Sequence, residues 1–77
     1  MKIEVNLCGI FSEIVKQPAV VIDNVLNVED IMNHFNKNYN EFSNYKSIRI
    51  INKKIISRNE PLHEGDSITI MPLYIGG

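Results

Sequence analysis

The sequence holds a single cysteine, Cys8, so no internal disulfide can form. Its two histidines, His34 and His63, lie far apart, and with Cys8 they offer no spacing that would hold a metal ion. Tryptophan is absent, and of only four glycines two are the last two residues, so no glycine-rich loop exists to cradle a phosphate. Charge of one sign is also missing: 8 Lys and Arg against 9 Asp and Glu leave a net charge of −1. A nucleic-acid partner needs clustered positive charge, and the nearest approach to it, Lys53-Lys54 with Arg58, reads as a solvated turn. No apolar run approaches the length of a membrane span, and Lys2 and Glu4 interrupt what would be a secretory leader. The expectation is a cytoplasmic protein with no membrane and no nucleic-acid partner. With 77 residues there is room for one domain and a modest core.

What is present falls into short periodic segments. Lys2 to Leu7 alternates, with Ile3, Val5 and Leu7 on one face, as a half-buried strand does. Gly9 ends it, and Ile10, Phe11, Ile14 and Val15 recur at helical spacing until Gln17-Pro18 breaks the segment. Ala19 to Ile22 predicts a second strand, returning antiparallel to the first over so short a connection. Asn27 stands at a helix N-cap position with Asp30 three residues on, a looser form of the capping box. Val28, Ile31, Met32 and Phe35 follow as an amphipathic stripe, predicting the main helix to about Lys37 or Asn38. Asn38 to Lys46 reads as a loop whose aromatics, Tyr39, Phe42 and Tyr45, close over the helix end.

Ser47 to Ile51 predicts a third strand, with Ile48 and Ile50 on the face opposite Arg49 and Ile51. Asn52-Lys53-Lys54 predicts a tight connection into a short strand at Ile55-Ile56. Leu62 dips back into the core from the loop Arg58 to His63, and Glu64-Gly65-Asp66 is a turn. Ser67 to Met71 is the last strand, which Pro72 is expected to stop because it has no N–H. The sum is an α+β arrangement: a mixed sheet of four to five strands with one main helix packed across it.

Little in this inventory performs chemistry alone. Both histidines read as solvated surface residues, Cys8 has neither a base nor an electropositive neighbour in sequence, and Glu29-Asp30 and Glu64/Asp66 belong to a helix start and a turn. The tail is different. From Ser67 onward no side chain is charged, and the chain stops at Leu73-Tyr74-Ile75-Gly76-Gly77. Chance puts Gly-Gly at an end in about one chain in two hundred. Two glycines suit a backbone threaded through a narrow slot, and five residues from Leu73 extend roughly 17 Å.

A Gly65-Asp66 turn, a closing strand and a short apolar tail ending in Gly76-Gly77 resemble the β-grasp, ubiquitin-like sulfur carriers. These are the small subunit of molybdopterin synthase (MoaD) and the thiazole-pathway carrier (ThiS). The resemblance runs over the whole chain, since the first strand, the Val28-Glu29-Asp30-Ile31 helix start and the Asn52 hairpin have counterparts there. It implies a β-grasp domain over residues 1–72 and a flexible tail over residues 73–77. It also implies that Gly77 is the reactive residue: its carboxylate is joined to AMP and then converted to a thiocarboxylate that donates sulfur. Pro72, Leu73, Tyr74, Ile75 and Gly76 would then bind the partner.

No cofactor is expected to reside on the chain; ATP is used by a partner related to ubiquitin-activating enzymes, and a synthase large subunit or a thiazole synthase receives the sulfur. Pro72 and the helical insert at Ile10 to Val15 lean toward the molybdopterin-synthase subunit. Leu73 and Tyr74 depart from that pattern, which has a second Pro and a small residue there, and so leave a tungsten-type pterin or cysteine pathway open. The alternatives are a thiazole carrier, a ubiquitin-like binding or conjugation module without sulfur transfer, and a small enzyme using Cys8.

Overall fold

A computed structural model describes residues 1–73. Five strands form one sheet: β1 (Ile3–Leu7), β2 (Ala19–Ile22), β3 (Ser47–Ile51), β4 (Lys54–Ile56) and β5 (Ser67–Pro72), in the order β2-β1-β5-β3-β4. β1 and β5 run parallel at the centre while the other neighbours are antiparallel, so the first and last strands are each paired on both sides. This is the mixed sheet and crossing helix of the β-grasp fold that the sequence predicts.

The period-two pattern sets which face is buried. Ile3, Val5 and Leu7 of β1, Ile22 of β2, Ile68 and Ile70 of β5, Ile51 of β3 and Ile56 of β4 all lie in the core. Over them packs α2 (Val28–Asn38), which buries Val28, Ile31 and Phe35 from its apolar stripe. Met32, on the same stripe, is only half-buried. The short helix α1 (Ile10–Val15) adds Phe11 and Val15 and ends at Lys16, whose backbone is left-handed.

The start of α2 is tied down more firmly than its capping pattern alone provides. Asn27 Oδ1 accepts the Asp30 N–H at 2.8 Å, and Asp30 Oδ2 accepts the Leu26 N–H at 2.9 Å, one residue ahead of the usual capping-box partner. The loop before β5 supplies two further acceptors, Glu60 O for the Val28 N–H and Asn59 Oδ1 for the Glu29 N–H. The first N–H groups of a helix have no partner within it, and here three different residues supply them. Replacing Asn27 by Ala removes one acceptor and is expected to lower stability by about 1 kcal/mol. Urea unfolding should show it as a lower midpoint at unchanged slope.

Two local details differ from the sequence reading. The β3–β4 connection is only Asn52-Lys53, with φ of 51° and 67° as a two-residue type I′ hairpin requires, so β4 begins at Lys54. The segment after α2 is more than a loop. Phe42 begins a single 3₁₀ turn (Phe42–Asn44) and is 1% exposed. Its ring lies 4.6 Å from Phe11 and 4.9 Å from Phe35, nearly parallel to the latter at 13°. Phe42 is core, while Tyr45 is the aromatic that stays at the surface.

Candidate functional site at the root of the tail

The last strand delivers the chain to the edge of the domain. β5 continues through Pro72, whose register partner is Ser47, and the Leu73 N–H donates to Lys46 O at 2.9 Å. Proline is tolerated because ladder groups alternate sides: Leu73 bonds toward β3, so the nitrogen of Pro72 points toward β1. There β1 has already turned away. The Cys8 N–H bonds Ile70 O, and Cys8 O takes the Phe11 N–H, leaving no strand acceptor for position 72 to serve. Pro72 therefore ends pairing on one side only, instead of stopping the strand as the sequence suggests.

Gly9 makes this arrangement possible. Its backbone sits at φ 58°, ψ −133°, and a Cβ built there would lie 3.1 Å from Pro72 Cγ and 3.3 Å from Pro72 Cδ. The proline ring at the tail root thus packs closely over a position where a Cβ fits only if the ring gives by a few tenths of an ångström. Gly9→Ala meets both an unfavourable backbone and a steric contact, and is expected to lose on the order of 1–3 kcal/mol. A thermal melt should show a drop of roughly 4–8 °C for each kcal/mol. An unchanged melting temperature would mean that Pro72 yields freely.

Leu73, 51% exposed, stands between two clefts. One, of about 320 Å³, is lined by Ile10, Tyr45, Lys46 and Pro72. The other, of about 380 Å³, is bordered by Met32, Asn36, Ser43, Tyr45 and Arg49. Of the expected site residues, Pro72 and Leu73 are thus placed together at the strand's exit; Tyr74, Ile75, Gly76 and Gly77 lie outside the described residues. The sequence reading missed Ile10, Tyr45, Lys46, Ser47 and Arg49 as surroundings of the tail. One signal was available: Arg49 shares strand parity with Ile51, so it is a charge on the inward face.

On the opposite, helix-free face of the sheet, Ile48 and Ile50 of β3, Ile55 of β4 and Met71 of β5 form an apolar area leading toward the tail, with Ile55 68% exposed. The polar half of that face is β1, where Asn6 Nδ2 donates to Ser67 Oγ at 3.0 Å. Among the described residues no group of acidic, histidine and cysteine side chains is placed to hold a metal ion. His34 packs edge-on against Phe35, and His63 lies 3.7 Å from Asp66 in the turn before β5. Cys8 is half-buried at the end of β1. No helix among the described residues is long and apolar enough to cross a membrane.

A β-grasp domain whose last central strand leads into an apolar tail defines the class: a small ubiquitin-like protein. Its sequence matches the ThiS family over residues 5–77, and the chain belongs to that family. The fold is similar to that of the HVO 2177 protein of Haloferax volcanii, with a TM-score of 0.82 at 18% identity, covering 100% of this chain and 87% of that one. It is also similar to a chain in the complex of subunits 1 and 2 of the molybdopterin-converting factor from Helicobacter pylori, with a TM-score of 0.72 at 21% identity and 100% of both chains covered. Among curated proteins none matches significantly. Membership of the ThiS family supports a sulfur-carrier role.

Proposed function

We propose that the chain carries sulfur on its own C-terminus for the synthesis of a cofactor, molybdopterin before others. The observation that carries this reading is that the family match runs through Gly77, on a fold whose final strand leads the chain out of the sheet at Leu73. A carboxylate is a poor electrophile. An oxygen of the Gly77 carboxylate first attacks the α-phosphorus of ATP, giving an acyl-adenylate and pyrophosphate. A sulfur nucleophile at the sulfide level then displaces AMP from the acyl carbon, leaving a thiocarboxylate. That sulfur is the nucleophile passed on to the acceptor.

The nucleotide site belongs to the partner, an adenylating enzyme related to ubiquitin-activating enzymes, and no cofactor resides on this chain. Gly76 and Gly77 would pass through the partner's channel with Leu73, Tyr74 and Ile75 anchoring its entrance after Pro72, and the apolar Ile48–Ile50–Ile55–Met71 face offers docking area beside it. The subunit complex from Helicobacter pylori supports a synthase large subunit as the protein that receives the sulfur. Pro72 and α1 favour the molybdopterin route. A thiazole synthase is the second reading, favoured by the family that the sequence matches.

The test is the intact mass of the protein after incubation with ATP, a sulfide source and the adenylating enzyme of the same genome. The expected result is a gain equal to replacing one oxygen by sulfur, located to the peptide ending at Gly77. No gain, with an enzyme shown to be active on another carrier, would leave a binding module in its place.

A further inference from the structure

Arg49 is a charged residue at a position that the sheet turns inward. Its register partners are Ile70 of β5 and Ile56 of β4, both core residues, and it is itself half-buried. A guanidinium carries five N–H donors. Among the described residues only Nη1 is engaged, by Ser47 Oγ at 3.0 Å and Ser47 O at 3.4 Å, and Arg49 has no ion pair. The side chain forms part of the wall of two clefts. The larger opens beside Leu73 and includes Lys46; the smaller includes Arg58, with Glu29 at its border. Three cations thus follow one side of a chain whose net charge is −1.

We propose that the larger cleft is a carboxylate-binding site, and that Arg49 there receives an Asp or Glu side chain of the protein that takes up the tail. The inference rests on the sulfur-carrier reading and adds a feature of the partner to it. A guanidinium fork meets a carboxylate through two parallel N–H···O bonds, which gain strength as water is excluded. Water is excluded here once a partner grips the chain beyond Leu73, because Leu73 lines the same cleft.

The register disfavours the chain's own terminal carboxylate as the occupant. Arg49 lies opposite Ile70, Ser47 opposite Pro72, and Leu73 bonds Lys46, so the tail departs in the direction leading away from Arg49. Four further residues span at most about 14 Å fully extended, and a reversal consumes much of that length.

The test compares wild type, Arg49→Gln and Arg49→Lys in calorimetric titrations against two probes, the adenylating enzyme and the synthase large subunit of the same genome. Arg49→Gln is expected to weaken binding to at least one of them on the order of tenfold to a hundredfold and to flatten its salt dependence. Arg49→Lys should recover part of the loss, with both variants melting close to wild type. One acidic residue of that partner, found by alanine scanning, should then show a loss that is not additive with Arg49→Gln.

Binding of Arg49→Gln within twofold of wild type to both probes would overturn the proposal while leaving sulfur transfer intact. So would a loss additive with every acidic substitution. An Arg49 Nε–H resonance in the free protein that moves when Gly77 is deleted would assign the cleft to the chain's own terminus. Wild type that binds neither probe and gains no sulfur would overturn both readings together.

Discussion

Removing Gly76 and Gly77 is expected to give a protein that melts as wild type does and accepts no sulfur at all. The two halves of this expectation have separate origins. Every buried apolar residue of the described chain lies between Ile3 and Ile70, and among the described residues the last backbone bond into the sheet is made by Leu73. All of that described core lies before the point at which the shortened chain stops. The chemistry, however, loses its acyl carbon in the right place. The new terminus is a β-branched residue two positions short, and each position is worth about 3.5 Å of reach. A displacement of even an ångström is serious for a reacting atom, and this one is several times larger.

Mass spectrometry after incubation with the adenylating enzyme should therefore fall to background for the truncated chain, while circular dichroism and the melting temperature stay unchanged. A mass gain of one oxygen replaced by sulfur that persists on the truncated protein would refute Gly77 as the carrier residue. Loss of folding would show that the tail contributes to the body.

Much of the fold was legible because its determinants are local. The alternation of Ile3, Val5 and Leu7, the stripe Val28–Ile31–Phe35 and the Asn27–Asp30 pair each specify an element within a few residues, and each is found in place. What escaped depends on contacts distant in sequence. Pro72 ends the ladder on one side only because β1 turns away at Cys8 and Gly9, sixty-odd residues earlier in the chain. A proline read alone shows only the missing N–H. The cleft beside Leu73 is built from α2, the 3₁₀ turn and β3 at once, so no single stretch announces it. Arg49 was the visible trace: its parity placed a charge on the buried face, and an inward charge without a sequence neighbour to pair it points to a surface opening there.

Phe42 is the strongest case of this kind, and replacing it by Ala is expected to have the largest effect on stability. In sequence it belongs to an asparagine-rich stretch without helical or strand period, which places it over the end of the main helix but does not mark it out from Tyr39 and Tyr45 as core. In the fold that ring closes the end of the core between Phe11 of α1 and Phe35 of α2, two elements with no other aromatic link among the described residues. Truncating a fully buried Phe typically removes about 3–5 kcal/mol, from lost burial together with the cavity left behind. A domain of this size has a total stability of roughly 4–12 kcal/mol, so Phe42→Ala should be partly unfolded at 37 °C, or melt more than about 15 °C lower.

Phe42→Leu, which keeps most of the volume, should lose only about 1–1.5 kcal/mol. It also separates structure from function, because Tyr45 and Lys46, a few residues on, line both clefts beside Leu73, and Ser43 lines the larger one. If the aromatic stack holds those walls in position, Phe42→Leu will fold and yet bind its partners more weakly than its stability change explains. A Phe42→Ala protein melting within a few degrees of wild type would show that Phe11 and Phe35 close the gap between themselves, and that the 3₁₀ turn is held by its backbone alone.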